Sequence, residues 1–166
     1  MPVVDDDMKI DVVDGHDSPI GEVIRRDVFR LHVNFRVVHV LVFNRKGELL
    51  IQQLGSTRQR HPRYWGSSVA GYVFAGETYQ AAARRRISQE LGIRNAILVS
   101  LGKFSMNDEG CQKFVGVFST IQDGPFRIDN NHIDAVEFVS LSGIHHARLR
   151  FTETFLKVLD FYEHRR

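Results

Sequence analysis

Apolar and polar positions change period several times along the chain, and each change marks an element. Lys9 to Val13 and Gly21 to Arg25 alternate as short strands around the turn-forming pairs Asp14-Gly15 and Ser18-Pro19. Val33 to Phe43 is dense in Val and Phe. Asn44-Arg-Lys-Gly47 then predicts a hairpin turn into a strand from Glu48 to Gln53. Gly55 to Tyr64 is polar and reads as a loop, followed by a short strand from Trp65 to Ala70. Helical spacing begins at Glu77-Thr78 and stops at Gly92, a C′ glycine, with Ala83, Ile87 and Leu91 on one face. Strands are expected over Ala96 to Phe104, Gln112 to Ser119 and Asp134 to Leu141. A closing amphipathic helix runs from Thr152 to His164, with Phe155, Val158, Leu159 and Tyr162 at helical spacing. Mixed strands with two substantial helices predict an α+β sandwich.

Length and composition narrow this picture. At 166 residues the chain suits one domain with a real core. Residues 1–8, including Asp5-Asp6-Asp7, read as a frayed leader and residues 9–166 as the domain. A formal charge of +2 gives no bulk attraction for a nucleic-acid polymer. No apolar run approaches the ~18 residues that span a bilayer, and no signal peptide is visible. The one cysteine, Cys111, excludes an internal disulfide and suits a reducing cytoplasm.

The chemistry concentrates in one stretch. Gly71-Tyr-Val-Phe-Ala-Gly-Glu77 is followed, after seven residues, by Arg85-Arg86-Ile87-Ser88-Gln89-Glu90-Leu91-Gly92-Ile93. Gly71, Glu77, Arg85, Ile87, Glu90, Gly92 and Ile93 match the Nudix box, G-x5-E-x7-R-E-U-x-E-E-x-G-U, where U is a bulky apolar residue. Arg86 and Gln89 stand where that pattern has glutamates. The surrounding order of strands, hairpin and closing helix also resembles the Nudix superfamily over about residues 9 to 163, and the likeness implies its α/β/α sandwich with a mixed β-sheet.

Asp11 to Gly21 and Arg30-Leu-His32 are similar to the branch holding isopentenyl-diphosphate isomerases and related hydrolases. That branch also tolerates arginine-arginine before a lone glutamate. Its cysteine, however, falls at Ala70 and one of its metal-binding histidines at Tyr72. The strand that supplies its paired glutamates reads Cys111-Gln112-Lys113-Phe114, and only His32 remains of the histidine set. Protonating a double bond needs an acid and a base on opposite faces, so isomerase activity is not expected.

What the resemblance implies is hydrolysis of a nucleoside diphosphate linked to another group, with Mg2+ or Mn2+ assisting water. Glu90 and Glu77 are the metal candidates, Glu90 and Arg85 the catalytic candidates, and Arg86, Gln89 and Gly71 the substrate-binding candidates. Positions 86, 89 and 90 share one helix face. At positions 86 and 89 the family charge of −2 becomes +1 here. A unit charge ~4 Å from a metal site acts with roughly 4 kcal/mol per opposing charge at an effective dielectric of 20. Arg86 therefore opposes metal binding, can pair with Glu90 at i, i+4, and can grip phosphate directly. Metal affinity is expected to be weak or ligand-dependent. Two readings follow: a weakened diphosphohydrolase, or a non-catalytic module binding a phosphorylated small molecule. In the latter Gly71 permits the loop conformation, Glu77 and Arg85 tie loop to helix, and Gly92 caps it. Monomer and homodimer are both left open.

Secondary candidates lie outside the box. His32 and His39 sit in or near an apolar strand and read as packing or surface residues. Arg58, Arg60, His61 and Arg63 make a basic loop that is either solvated or in contact with phosphate. Asp108 and Glu109, between two late strands, are candidates to replace a missing carboxylate. Cys111 reads as a strand residue.

Overall fold

The computed structural model describes residues 5–165. Of the leader expected over residues 1–8, residues 1–4 lie outside the described part. Asp5–Asp7 forms a 3-10 turn, and Asp6 and Asp7 pair with Arg25 and Arg26. Strands β1 (Lys9–Val13) and β2 (Pro19–Ile24) make an antiparallel ribbon, followed by the short helix α1 (Val28–Leu31). The main sheet holds β3 (Phe35–Phe43), β4 (Leu49–Leu54), β5 (Trp65–Gly66), β6 (Val69–Tyr72), β7 (Val99–Asp108), β8 (Cys111–Ile121) and β9 (Ile133–Val139). Its main path runs β5-β4-β3-β8-β7, with β6 on β3 and β9 on β4. The β3–β8 pair is parallel and the others antiparallel, so the sheet is mixed.

β3 is buried on both faces, which explains its continuous apolar run. Val38, Val40 and Val42 pack toward helix α2 (Tyr79–Leu91), against Ala82, Ala83, Ile87 and Leu91. Phe35, Val37 and Leu41 pack toward helix α4 (Glu153–His164), against Phe155, Val158 and Leu159. The fold is thus the expected α/β/α sandwich, with one core on each side of the sheet. Among the described residues no helix is long and apolar enough to cross a membrane.

Differences from the sequence expectation have local causes. The strand expected over 65–70 is two strands, because the chain leaves β4 for β3 at Ser67-Ser68. Ser68 Oγ donates to Leu50 O at 2.5 Å and accepts from Val42 N at 2.8 Å, filling the gap where β3 and β4 diverge. The strand expected over 96–104 begins and ends later, as β7. Two short helices were not anticipated, α1 and α3 (Leu141–His146), both too brief to show a helical period. His32 caps α1 in a left-handed conformation (φ 52°), three residues before β3 begins.

Candidate functional site

The box folds as a loop, a turn and a helix. Thr78 caps α2 by accepting from Ala81 N at 3.0 Å, and Gly92 closes it at φ 70°. Glu77 receives Phe74 N at 2.7 Å and Arg85 on both carboxylate oxygens at 2.9 Å. Arg85 also donates to Tyr72 O at 2.9 Å and lies 3.6 Å over the Phe74 ring. This pair ties the loop before the helix to the helix itself.

One residue further on, Arg86 turns to the opposite task. It bonds Glu90 at 2.8–2.9 Å, Ala70 O at 3.2 Å and Gln89 Oε1 at 3.2 Å. Glu90 is 4% exposed, and its other oxygen receives Gln52 Nε2 at 2.8 Å. Gln89 Oε1 is shared with Arg85 at 3.3 Å. Gly71 makes this arrangement possible: a Cβ there would stand 2.3 Å from Arg86 Nε. Gly71 is a strand residue outside the left-handed region, so it serves close approach and not the loop conformation expected of it.

A second set of cations converges here from outside the box. Arg25 lies 4.6 Å over the Tyr72 ring, and its Nε has no hydrogen-bond partner among the described residues. Tyr72 stacks on Phe35 at 5.4 Å, and burial pushes its phenol up. Arg58, on the basic loop after β4, is surface-accessible, yet neighbouring protein pushes its pKa down. Lost hydration acts first, Glu90 opposes it, and the like charges of Arg86 and Arg25 add to it. Arg60 pairs with Asp108 at 2.9 Å, and Lys113 holds the other Asp108 oxygen at 2.9 Å. Burial alone would raise the Asp108 carboxyl, but Lys113 and then Arg60 outweigh it and hold it below the ordinary range. Asp108 closes β7, and Glu109 occupies the following turn, 3.9 Å from Arg60.

The acceptors of the box are therefore engaged by nitrogen donors. Among the described residues no three His, Cys, Asp or Glu side chains come together as a metal centre. Magnesium wants several oxygen ligands in near-octahedral geometry. Glu90 bound to Arg86 and Gln52, and Glu77 chelated by Arg85, do not fit a resident Mg2+ or Mn2+ in this arrangement. A shallow cavity of about 340 Å³, lined by Ser88, Gln89, Arg94, Arg127 and Asp129, opens beside the box face. A larger one of about 480 Å³ lies between the β3–β4 turn and the end of α4, without a carboxylate in its lining, and has no visible chemistry.

The remaining candidates are structural. His39 is buried on β3 with Nδ1 2.7 Å from Ser67 Oγ, and burial, then Lys113, pushes its pKa down to about 3. Cys111 is buried at the start of β8, and burial pushes its thiol up. Sequence reasoning missed Gln52, Arg25 and the stacking role of Tyr72. The polar pair Gln52-Gln53 inside the otherwise apolar β4, with Gln52 on the same face as the buried Leu50, was the available signal for Gln52.

The fold and the box together define a class, and the comparisons agree with it. The NUDIX domain model matches residues 33–159, and the chain belongs to that family. It is 34% identical over 127 residues to the uncharacterized Nudix hydrolase PA4841 of Pseudomonas aeruginosa, covering 76% of this chain and 75% of that protein. It is 25% identical over 153 residues to the uncharacterized Nudix hydrolase YfcD of Escherichia coli, covering 92% and 85%. Among solved structures, DR0079 of Deinococcus radiodurans superposes with a TM-score of 0.80 at 23% identity, covering 93% of this chain and 99% of that one. The NUDIX domain of Shewanella oneidensis NrtR, solved with ADP ribose, superposes at 0.62 with 13% identity, covering 78% and 86%.

Proposed function

We propose that the box face binds a diphosphate-linked small molecule through guanidinium groups, and that metal-dependent hydrolysis of it is weak or absent. The observation that carries this reading is the Arg86–Glu90 pair, which spends the box's remaining helix-face carboxylate on an arginine 2.8 Å away. Guanidinium groups suit phosphate oxygens because they present paired, permanently charged donors. Arg25 lies 4.6 Å over the Tyr72 ring and Arg86 pairs with Glu90 at 2.8 Å, with Arg58 in electrostatic reach of both. The substrate-binding roles of Arg86, Gln89 and Gly71 belong to this proposal, with Gly71 acting through its lack of a side chain. A slow hydrolase is the second reading, favoured by membership of a hydrolase family. In it, Glu90 and Glu77 are the carboxylates that a ligand-borne Mg2+ or Mn2+ meets. Isomerase chemistry is disfavoured: Ala70 offers only a carbonyl, already bound by Arg86, and Tyr72 is packed on Phe35.

The test is a panel of ADP-ribose, dinucleoside polyphosphates and inorganic pyrophosphate, scored for turnover with Mg2+ or Mn2+ and for thermal stabilisation without metal. Stabilisation without metal, with slow turnover or none, is the expected result. Fast metal-dependent turnover and no metal-free stabilisation contradict it.

A further inference from the structure

The basic loop over residues 55–64 has an unusual support. Its base is closed by Leu54 N donating to Tyr64 O at 2.8 Å, Arg63 N to Leu54 O at 3.1 Å and Gly55 N to His132 O at 2.9 Å. Above that base, His61 and Arg63 hold left-handed conformations at φ 53° and 64°, which side chains rarely adopt unless surrounding structure enforces it. Among the described contacts, the hydrogen bonds from residues 56–62 to the molecular body pass through one side chain, Arg60.

Arg60 is held at both edges. Its guanidinium lies 4.4 Å over the Phe29 ring of α1 and pairs with Asp108 at 2.9 Å. Asp108 is itself a fixed point. Lys113, from β8, donates to its second oxygen and also to Thr154 Oγ1 on α4 at 2.6 Å, and the Lys113 side chain is 8% exposed. The loop thus hangs from a buried chain of contacts that runs through the sheet to the closing helix. Two residues before Arg60, the same loop carries Arg58, and the loop base reaches the end of the box helix by hydrogen bonds: Gly55 N donates to His132 O at 2.9 Å, His132 N to Asp129 O at 3.1 Å and Asp129 N to Glu90 O at 3.1 Å. The Glu90 carboxylate acts on the Arg58 charge from that side.

We infer that Arg60 is a positioning residue: its pair with Asp108 and its seat on Phe29 fix the 55–64 loop so that Arg58 stands at the box face. The inference rests on the reading of that face as an anion-binding groove, and it locates part of the groove's control outside the box. A ligand is then gripped from two sides, by the box helix and by a loop whose position is set from the β7–β8 hairpin.

Hydrogen exchange on the full chain tests the support without any ligand. Arg60→Ala should raise exchange of the hydrogen-bonded loop amides of Arg58, Arg63 and Tyr64 about fivefold to tenfold, the scale of a half-exposed ion pair plus a cation–π contact. Arg60→Lys should retain most of the protection, and Phe29→Leu should lose part of it. Unchanged exchange in Arg60→Ala overturns the inference. Calorimetry with inorganic pyrophosphate tests the link to Arg58. Arg58→Ala and Arg60→Ala should each weaken binding about tenfold, and the double variant no more than either alone. Additive losses would show that Arg60 does not act through Arg58. Failure of wild type to bind pyrophosphate counts against the anion-binding reading, and the exchange experiment then decides the loop's support by itself.

Discussion

Adjacent arginines on α2 hold two glutamates in chemically similar pairs with different consequences. Arg85 and Glu77 have side chains 20% exposed, and their contacts join the box loop to the helix. The Arg86 and Glu90 side chains are 14% and 5% exposed, and they lie on the face where the family pattern places its carboxylates. The first pair leaves the groove open and organises its frame. The second fills the groove's acidic position and relies on Gly71 for room. The same kind of ion pair ties loop to helix in one place and occupies the box's acidic helix-face position in the other, and burial and helix azimuth decide which.

The largest expected effect comes from breaking the buried pair. Arg86→Ala leaves Glu90 with Gln52 as its remaining side-chain partner and should cost about 3–5 kcal/mol in urea unfolding. Arg85→Ala strands a more exposed carboxylate and should cost less, about 1–2 kcal/mol. Equal costs would erase the distinction between the pairs. Replacing Arg86 and Glu90 together by leucine should recover most of the loss, since apolar substitutes for a buried pair are often neutral.

The pairs should be compared above the range where His39 adds its own pH dependence. With its folded pKa near 3 and an ordinary value near 6.5, the unfolded chain binds more protons between these limits. Stability should therefore rise with pH from about 3 to about 6.5, by up to roughly 5 kcal/mol, and level off above. His39→Gln should flatten that slope, as measured by thermal unfolding across the range. A slope that survives the substitution assigns it to other groups.

Gly71→Ala should cost about 2 kcal/mol, because the added carbon displaces the Arg86 side chain and strains its bond to Glu90. In the Arg86→Ala background the same substitution should cost almost nothing, since the obstructing side chain is gone. Equal costs in both backgrounds would mean that Gly71 matters for its own backbone.

Much of the fold was legible because α2 and α4 carry clear helical periods and the box has fixed spacing. Thr78, Gly92, Ile87 and Leu91 stand in the roles their types predict. The site was half legible. The i, i+4 relation of Arg86 and Glu90 announced their pair, but their burial did not follow from sequence. Gln52, in β4, meets Glu90 across 38 residues, and Arg25, between β2 and α1, reaches Tyr72 only through the fold. Such long-range contacts have no local signature. Asp108 was recognisable as an acidic residue near the groove, but its commitment to Lys113 and Arg60 required the β7–β8 hairpin and the 55–64 loop to be placed together.

If Arg86 and Gln89 take away the box's capacity for a resident metal, as proposed, restoring glutamates at both positions should return it. Calorimetric titration of Mg2+ into ligand-free protein tests it most directly, comparing wild type with the Arg86→Glu, Gln89→Glu double variant. Wild type should give little heat at low millimolar Mg2+, and the double variant, with three carboxylates on one helix face, should bind with a saturable isotherm. Tight, stoichiometric Mg2+ binding by wild type would contradict the account.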